Sequence, residues 1–173
     1  LTRNAERAPI QQVIDQRLIQ GAPADQNAIS TALTPESLPI VFNDPKFANR
    51  RINEFDPYVR YFAINVKKVP NVKQRMAIAA ALDREALRTN AGGAYAGDYA
   101  DGVIKPNMGQ DYAPTQMWDG LLGQTIPPTG NVDYAKQLIT ESGAAMPTIT
   151  FDYPNTPTNT KAAAIIVASL AKA

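Results

Sequence analysis

Two groups of side chains in this sequence have the types needed to hold a ligand or to do chemistry. Tyr95, Asp98, Tyr99 and Asp101 sit among glycines at 92, 93, 97 and 102. An aromatic and acidic cluster of this kind can line a cleft, and the same composition equally suits a solvated loop. Tyr153, Asn155, Thr156 and Asn159 fall where an extended stretch gives way to a helix, so polar side chains and unpaired N–H groups there can face a ligand. Those residue types also favour turns and caps for purely local reasons. Trp118, the single tryptophan, can stack on a ligand or anchor its own loop.

Covalent and metal chemistry is narrowly bounded. The chain has no cysteine and no histidine, which excludes Cys- or His-based zinc sites, cysteine nucleophiles and Ser-His-Asp triads within it. Asp15, Asp25, Asp44, Asp56, Asp98, Asp101 and Asp111 could in principle pair as acid and base or bind calcium, but none has the spacing of a metal loop. No catalytic residue, metal ligand or cofactor is therefore assigned. A hydrolase or transferase using an acidic pair in the 92–128 loop, and a protein-interaction domain docking through that loop, stand as the alternatives to a binding module.

The elements that would position these residues are organised around 61–87. Residues 61–66 are aromatic and β-branched, as in a strand; Lys67-Lys68-Val69-Pro70 is turn chemistry; Asn71 is placed to cap a helix. From Met76 to Leu82 every residue is apolar, so this helix is expected to be covered on all sides. Asp83 can cap a second helix over 84–89 that ends at Gly92-Gly93.

Upstream, Ile10, Val13, Ile14 and Leu18, with Arg17 at the edge, approximate an amphipathic helix over 9–20 stopped by Gly21. A strand is expected at 25–29 and a short helix over 34–41, opened by Thr34-Pro35-Glu36, with Pro39 confined to its first turn. Strands are expected at 51–55 and 59–66 around an Asp56-Pro57 turn. Lys67-Lys68 and Arg50-Arg51 read as solvated turn charges, with docking to a membrane protein as an alternative.

Downstream, the 92–128 stretch is rich in Gly, Pro, Asp and Tyr, with a turn of helix expected near 115–121. Asn131 can cap a helix carrying Tyr134, Ala135, Leu138 and Ile139 on one face, with Gly143 just past its end. Residues 147–153 alternate as a half-buried strand, and an apolar helix follows over 161–171. This order predicts an α/β fold with mixed strand directions.

Composition agrees with one domain holding a real core; a chain of 173 residues buries about 70% of the surface it exposes when unfolded. The balance of 17 basic and 16 acidic residues, without a basic block, argues against nucleic acid as a partner. No apolar run reaches the roughly 20 residues of a membrane span. The opening at Leu1 carries no signal-like n-region or h-region, and the chain is expected to be a fragment of a longer protein.

The ordered set of motifs resembles the extracytoplasmic solute-binding proteins of peptide-type ABC importers, the oligopeptide- and dipeptide-binding class (family 5). The family's strand, Lys-x-Pro turn and Arg-containing apolar helix closing in Ala-hydrophobic-Asp-Arg is similar to Asn65-Val66-Lys67-Lys68, Pro70, Arg75 and Ala81-Leu82-Asp83-Arg84-Glu85. The later Asp-x-x-x-Ala helix ending in Gly is similar to Asn131-Val132-Asp133-Tyr134-Ala135 through Gly143. Lys105-Pro106-Asn107-Met108-Gly109-Gln110-Asp111-Tyr112 only approximates the family's Pro-Gly-Tyr element.

The resemblance implies a type II periplasmic-binding-protein-like lobe, a mixed sheet flanked by helices, in a two-lobed protein. On that reading 1–60 is part of the first lobe and the approach to the hinge, and 61–173 is the front half of the second lobe. It further implies a non-enzymatic receptor that captures peptides or similar small solutes by hinge closure and delivers them to the transmembrane subunits of an ABC permease. Such a receptor is periplasmic or a cell-surface lipoprotein, attached to the membrane only through a lipid anchor outside this sequence.

Overall fold

The computed structural model describes residues 7–21, 33–54, 56, 58–100, 102–113 and 121–173. Six α-helices are described: α1 (Arg7–Gln20), α2 (Ser37–Asn43), α3 (Val72–Ala81), α4 (Arg84–Ala91), α5 (Val132–Glu141) and α6 (Pro157–Leu170). Short 3-10 turns lie at Pro45–Phe47, Gly93–Tyr95 and Pro106–Asp111.

The core is the pairing of α3 with α5. Ala77, Ala80 and Ala81 of α3 and Ala135 and Leu138 of α5 are buried together with Leu122 and Ile126 of the connecting segment. Alanines on both helices allow their backbones to approach closely, while Leu138, 3% exposed, contributes about 2 kcal/mol by leaving water. The expectation that 76–82 is covered on all sides holds. Ala77, Ile78, Ala80, Ala81 and Leu82 are buried, and Met76 and Ala79 pack partly against the core.

Polar contacts close both ends of this pair and fix it as antiparallel. At the start of α3 the Asn71 carboxamide accepts from the Lys73 N–H (2.9 Å) as a helix cap and donates to the Ser142 carbonyl (3.1 Å). Buried Gln74 donates to the carbonyls of Ala145 (2.9 Å) and Ala144 (3.3 Å), and Lys73 pairs with Glu141 at 2.8 Å. At the other end the Asn131 N–H donates to the Ala80 carbonyl at 2.7 Å. The Asn65 side chain accepts from the N–H groups of Lys67 and Lys68, and Arg75 reaches back to the carbonyls of Val69 and Pro70. The 65–70 turn is thereby fastened to the helix it introduces.

A second antiparallel pair is α4 with α6. The Asp83 side chain caps α4 by accepting from the Ala86 N–H (2.9 Å), and the Asp83 N–H donates to the Ser169 hydroxyl near the end of α6 (3.3 Å). At the opposite end the Asn90 amide donates to the Thr158 carbonyl (3.0 Å). Gly92, with φ +122°, ends α4; a Cβ there would lie 2.4 Å from the Leu38 side chain, so α2 packs where only glycine fits.

The expected mixed sheet is corrected: the fold is helical, and none of the described residues belongs to a strand. The expected strands 51–55, 59–66 and 147–153 form no strand where they are described, residue 66 already belonging to the following turn, and 25–29 lies outside the described residues. Alternation reports that one face of an extended segment finds cover; a strand also requires a neighbour to pair its N–H and C=O groups. Here the cover comes from side chains. Phe62 meets Phe151 edge-on at 5.9 Å, and Phe151 stacks on Tyr153 at 5.8 Å. Tyr61 on the same stretch is 76% exposed.

Helix α1 also differs from its expected face. Val13 and Ile14 are exposed, while Asp15 is fully buried, its carboxylate accepting from the Gln11 amide and the Thr34 N–H at 2.8 Å each. Two hydrogen bonds to the carboxylate outweigh the small apolar gain of turning Val13 and Ile14 inward. Helix α2 is regular from Ser37, after a turn in which the Thr34 carbonyl accepts from the Ser37 and Leu38 N–H groups and the Thr34 hydroxyl meets that of Ser37.

Candidate functional site

The described surface contains an open hollow of about 430 Å³ lined by Leu33, Pro35, Arg60, Ala91, Thr158 and Asn159. Each wall has a local cause. Thr156 caps α6, accepting from the Asn159 N–H at 3.3 Å, and Pro157 occupies the first helical position, where its missing N–H costs nothing. This presents Thr158 and Asn159 on the first turn. The Asn90–Thr158 hydrogen bond pins the end of α4, and with it Ala91, against that turn. The 33–35 wall is held by the Thr34 bond to buried Asp15. Lys161 and Glu36 face each other at 3.9 Å between α6 and the 33–36 turn.

Of the residues singled out in the sequence, Asn159 lines this hollow and Thr156 shapes it as the helix cap. Asn155 accepts from the Thr160 hydroxyl at 3.5 Å, a contact within the same turn. Tyr153 joins the Phe62–Phe151 aromatic row and remains 41% exposed. The other cluster is built differently. Tyr95 stacks on Phe42 at 5.3 Å and its hydroxyl donates to Asn43, so it fastens the 93–95 turn to α2.

Asp98 pairs with Arg88 at 3.2 Å, its carboxylate 74% exposed. The Arg88 Nε also donates to the Gly97 carbonyl (2.8 Å), and its guanidinium lies 5.1 Å from the Tyr99 ring. Arg84 approaches the same ring at 5.8 Å, and the Tyr99 hydroxyl donates to Glu85. Trp118, Asp101 and most of the expected 115–121 helix lie outside the described residues.

Residues 51–60 carry two roles that sequence reasoning missed. Arg51, read as a solvated charge, donates to the Val41 and Phe42 carbonyls and lies over the Phe42 ring at 5.5 Å, capping the end of α2. Arg60 carries no local signal in the sequence; only the fold brings it beside the first turn of α6.

Three exposed carboxylates have their pKa values lowered. Asp56 is lowered chiefly by its hydrogen bond from Lys105 and then by the Tyr58 N–H. Glu141 is lowered by hydrogen bonds from Lys73 and then Gln137, and Asp44 by the backbone N–H of Lys46.

Polar groups beside apolar Leu33, Pro35 and Ala91 within a helical frame describe a surface suited to holding a solute. The comparison with known families agrees in kind. The chain belongs to the bacterial extracellular solute-binding proteins, family 5 Middle, whose pattern it matches over residues 12–173. Comparison with curated proteins and with solved structures returned no match. Membership makes this a solute-binding domain with a substrate-binding role in ABC import and an extracytoplasmic location; the family is generally non-enzymatic.

Proposed function

We propose that the protein captures peptides or similar small solutes between two lobes, closes about a hinge and hands the solute to the transmembrane subunits of an ABC permease. Family membership over 12–173 carries this reading. The chain crosses from the first lobe towards the second near 61–65, where the exposed extended stretch precedes the Asn65 turn. Solute then meets the hollow at Arg60, Thr158 and Asn159, with Tyr153, Asn155 and Thr156 just before them in the chain, and Tyr95, Asp98 and Trp118, the last outside the described residues, as further candidate contacts. Closure is a population shift, driven by the tighter binding of solute to the closed form.

The test uses the full-length protein. Native mass spectrometry after mild purification is expected to detect a bound peptide, and a library of tri- to pentapeptides is expected to raise the melting temperature, since a ligand at 100 times its Kd adds about 2.7 kcal/mol. A protein that copurifies with no peptide and whose melting temperature no peptide raises is not a peptide receptor.

A further inference from the structure

The stretch 51–64 is held by side chains. Its described residues make no backbone-to-backbone hydrogen bond, and all of them except Arg51, Val59 and Ile64 are exposed. A stretch with so few contacts has little stability of its own, so the bonds that do reach it decide where it lies. Arg51 fastens its start to the Val41 and Phe42 carbonyls at the end of α2, and Phe62 meets Phe151 towards its other end. Between these two points Lys105 reaches in from a distant part of the chain. Its Nζ donates to the Asp56 carboxylate at 3.0 Å and to the Asp56 carbonyl at 3.1 Å. The same carboxylate oxygen accepts from the Tyr58 N–H at 3.0 Å, so the clamp and the local turn share one atom. The Lys105 hydrogen bond, then the Tyr58 N–H, then the charges of Lys105 and Arg60 hold the Asp56 carboxyl below the usual carboxylate range.

Lys105 belongs to a segment that is itself anchored. Tyr95 stacks on Phe42, the ring over which Arg51 also lies, and Arg88 of α4 holds Gly97 and Asp98. Lys105 stands at the N-cap of the Pro106–Asp111 turn, and its side chain is 23% exposed against 66% for Asp56. We infer that Lys105 is a positioning residue and the segment from Tyr95 to Lys105 a strap: anchored on α2 and α4, it reaches Asp56 and holds 56–60, and with it the Arg60 wall of the hollow, in place. The hold on 56–60 stands on the contacts alone; its consequence for the hollow rests on the proposed solute-binding function. One amine carries both bonds, so breaking it releases the backbone and the carboxylate of Asp56 together. An ion pair at the surface adds little to global stability, so the effect of the strap is local.

The experiment measures the distance between two nitroxide labels in the full-length protein by pulsed electron paramagnetic resonance. Tyr61→Cys and Val167→Cys, introduced as the sole labelling sites, are exposed at 76% and 63% and report 56–61 against α6. The Lys105 protein is expected to give one narrow distribution at low salt, Lys105→Met a clearly broader one, and Lys105→Arg the narrow one again. Raising salt from about 0.01 M to about 1 M cuts the Debye length from roughly 30 to 3 Å. It should broaden the Lys105 protein and leave Lys105→Met and Asp56→Asn, which lack the charge pair, unchanged. Equal widths with Lys105 and Lys105→Met, or a width with Lys105 and Asp56 that salt does not alter, overturn the strap. Calorimetry with a library of tri- to pentapeptides then reads the hollow: Lys105→Met should bind several-fold more weakly, and Lys105→Arg like wild type. Broadened distances with unchanged affinity overturn the role of the strap at the hollow. Absence of peptide binding by every protein, wild type included, overturns the peptide reading and leaves the strap to be judged by the distances.

Discussion

The backbone of Gly130 lies against the Ala81 carbonyl so closely that a Cβ at position 130 would sit 2.9 Å from that oxygen. The same Cβ would meet the Leu82 carbonyl at 2.9 Å, and Gly130 adopts φ +83°. Next to it the Asn131 N–H donates to the Ala80 carbonyl, and Arg84 and Glu85 donate to Pro128. Gly130 thus lets the chain entering α5 press onto the end of α3. Gly130→Ala is expected to destabilise the domain by about 2 kcal/mol or more, from left-handed strain plus the backbone clash. Urea unfolding followed by circular dichroism checks this, and a midpoint within error of wild type would refute the close contact.

The other end of the same helix pair depends on Gln74. Its buried amide satisfies the carbonyls of Ala144 and Ala145. Gln74→Met keeps much of the volume and leaves both acceptors without this donor, an expected loss of about 1–3 kcal/mol. Asn71→Ala removes a cap and the bond to Ser142, costing about 1 kcal/mol. Because both act on one junction, the double variant should lose measurably less or more than the sum in a double-mutant cycle.

The lowered pKa values of Glu141, Asp56 and Asp44 set the sign of the acid response. Their folded pKa values lie below the unfolded ones, so the unfolded chain binds more protons and stability rises with pH in that region. The contribution is present above the ordinary carboxylate range and is lost as pH falls from about 5 through the depressed folded values. All three groups are exposed, so the effect should be small and should shrink in high salt. Melting temperature measured from pH 6 to pH 3 should fall, and Lys73→Met should shallow the fall by removing the largest cause at Glu141.

Arg88 holds the start of the 97–112 segment through Gly97, Asp98 and the Tyr99 ring. Arg88→Met is expected to raise amide hydrogen exchange at 97–100 while leaving α3 and α5, which it does not touch, unchanged. Equal protection of 97–100 in both proteins would show that the segment is held by other contacts.

Tyr153 should separate binding from folding. It is half-exposed at the edge of the aromatic row, so Tyr153→Ser is expected to change stability by little more than about 0.5 kcal/mol. If the row contacts solute, the same change should weaken binding several-fold in calorimetry; unaltered affinity would remove Tyr153 from the site.

Much of this protein was legible as local signals. Asn71, Asp83 and Asn131 cap α3, α4 and α5 as their spacing predicts, and Gly143, with φ +67°, ends α5. The apolar run at 76–82 implied a covered helix and is one. Caps, stops and helical periodicity are decided within a turn or two of the chain, so the residues themselves contain the information.

What only the tertiary structure decided are contacts between residues far apart. The alternating stretches 59–66 and 147–153 read as strands because alternation records partial cover, yet without a ladder partner among the described residues they form none. Asp15, one of the aspartates available for an acid pair or a calcium site, is instead buried against the Thr34 N–H, nineteen positions away. Arg60 lines one hollow with Thr158 and Asn159 only in the folded chain, and no spacing in the sequence could announce it. Local propensity selects the helices; hydrogen bonding and burial between distant segments select which of their faces meet and which side chains are left to receive a solute.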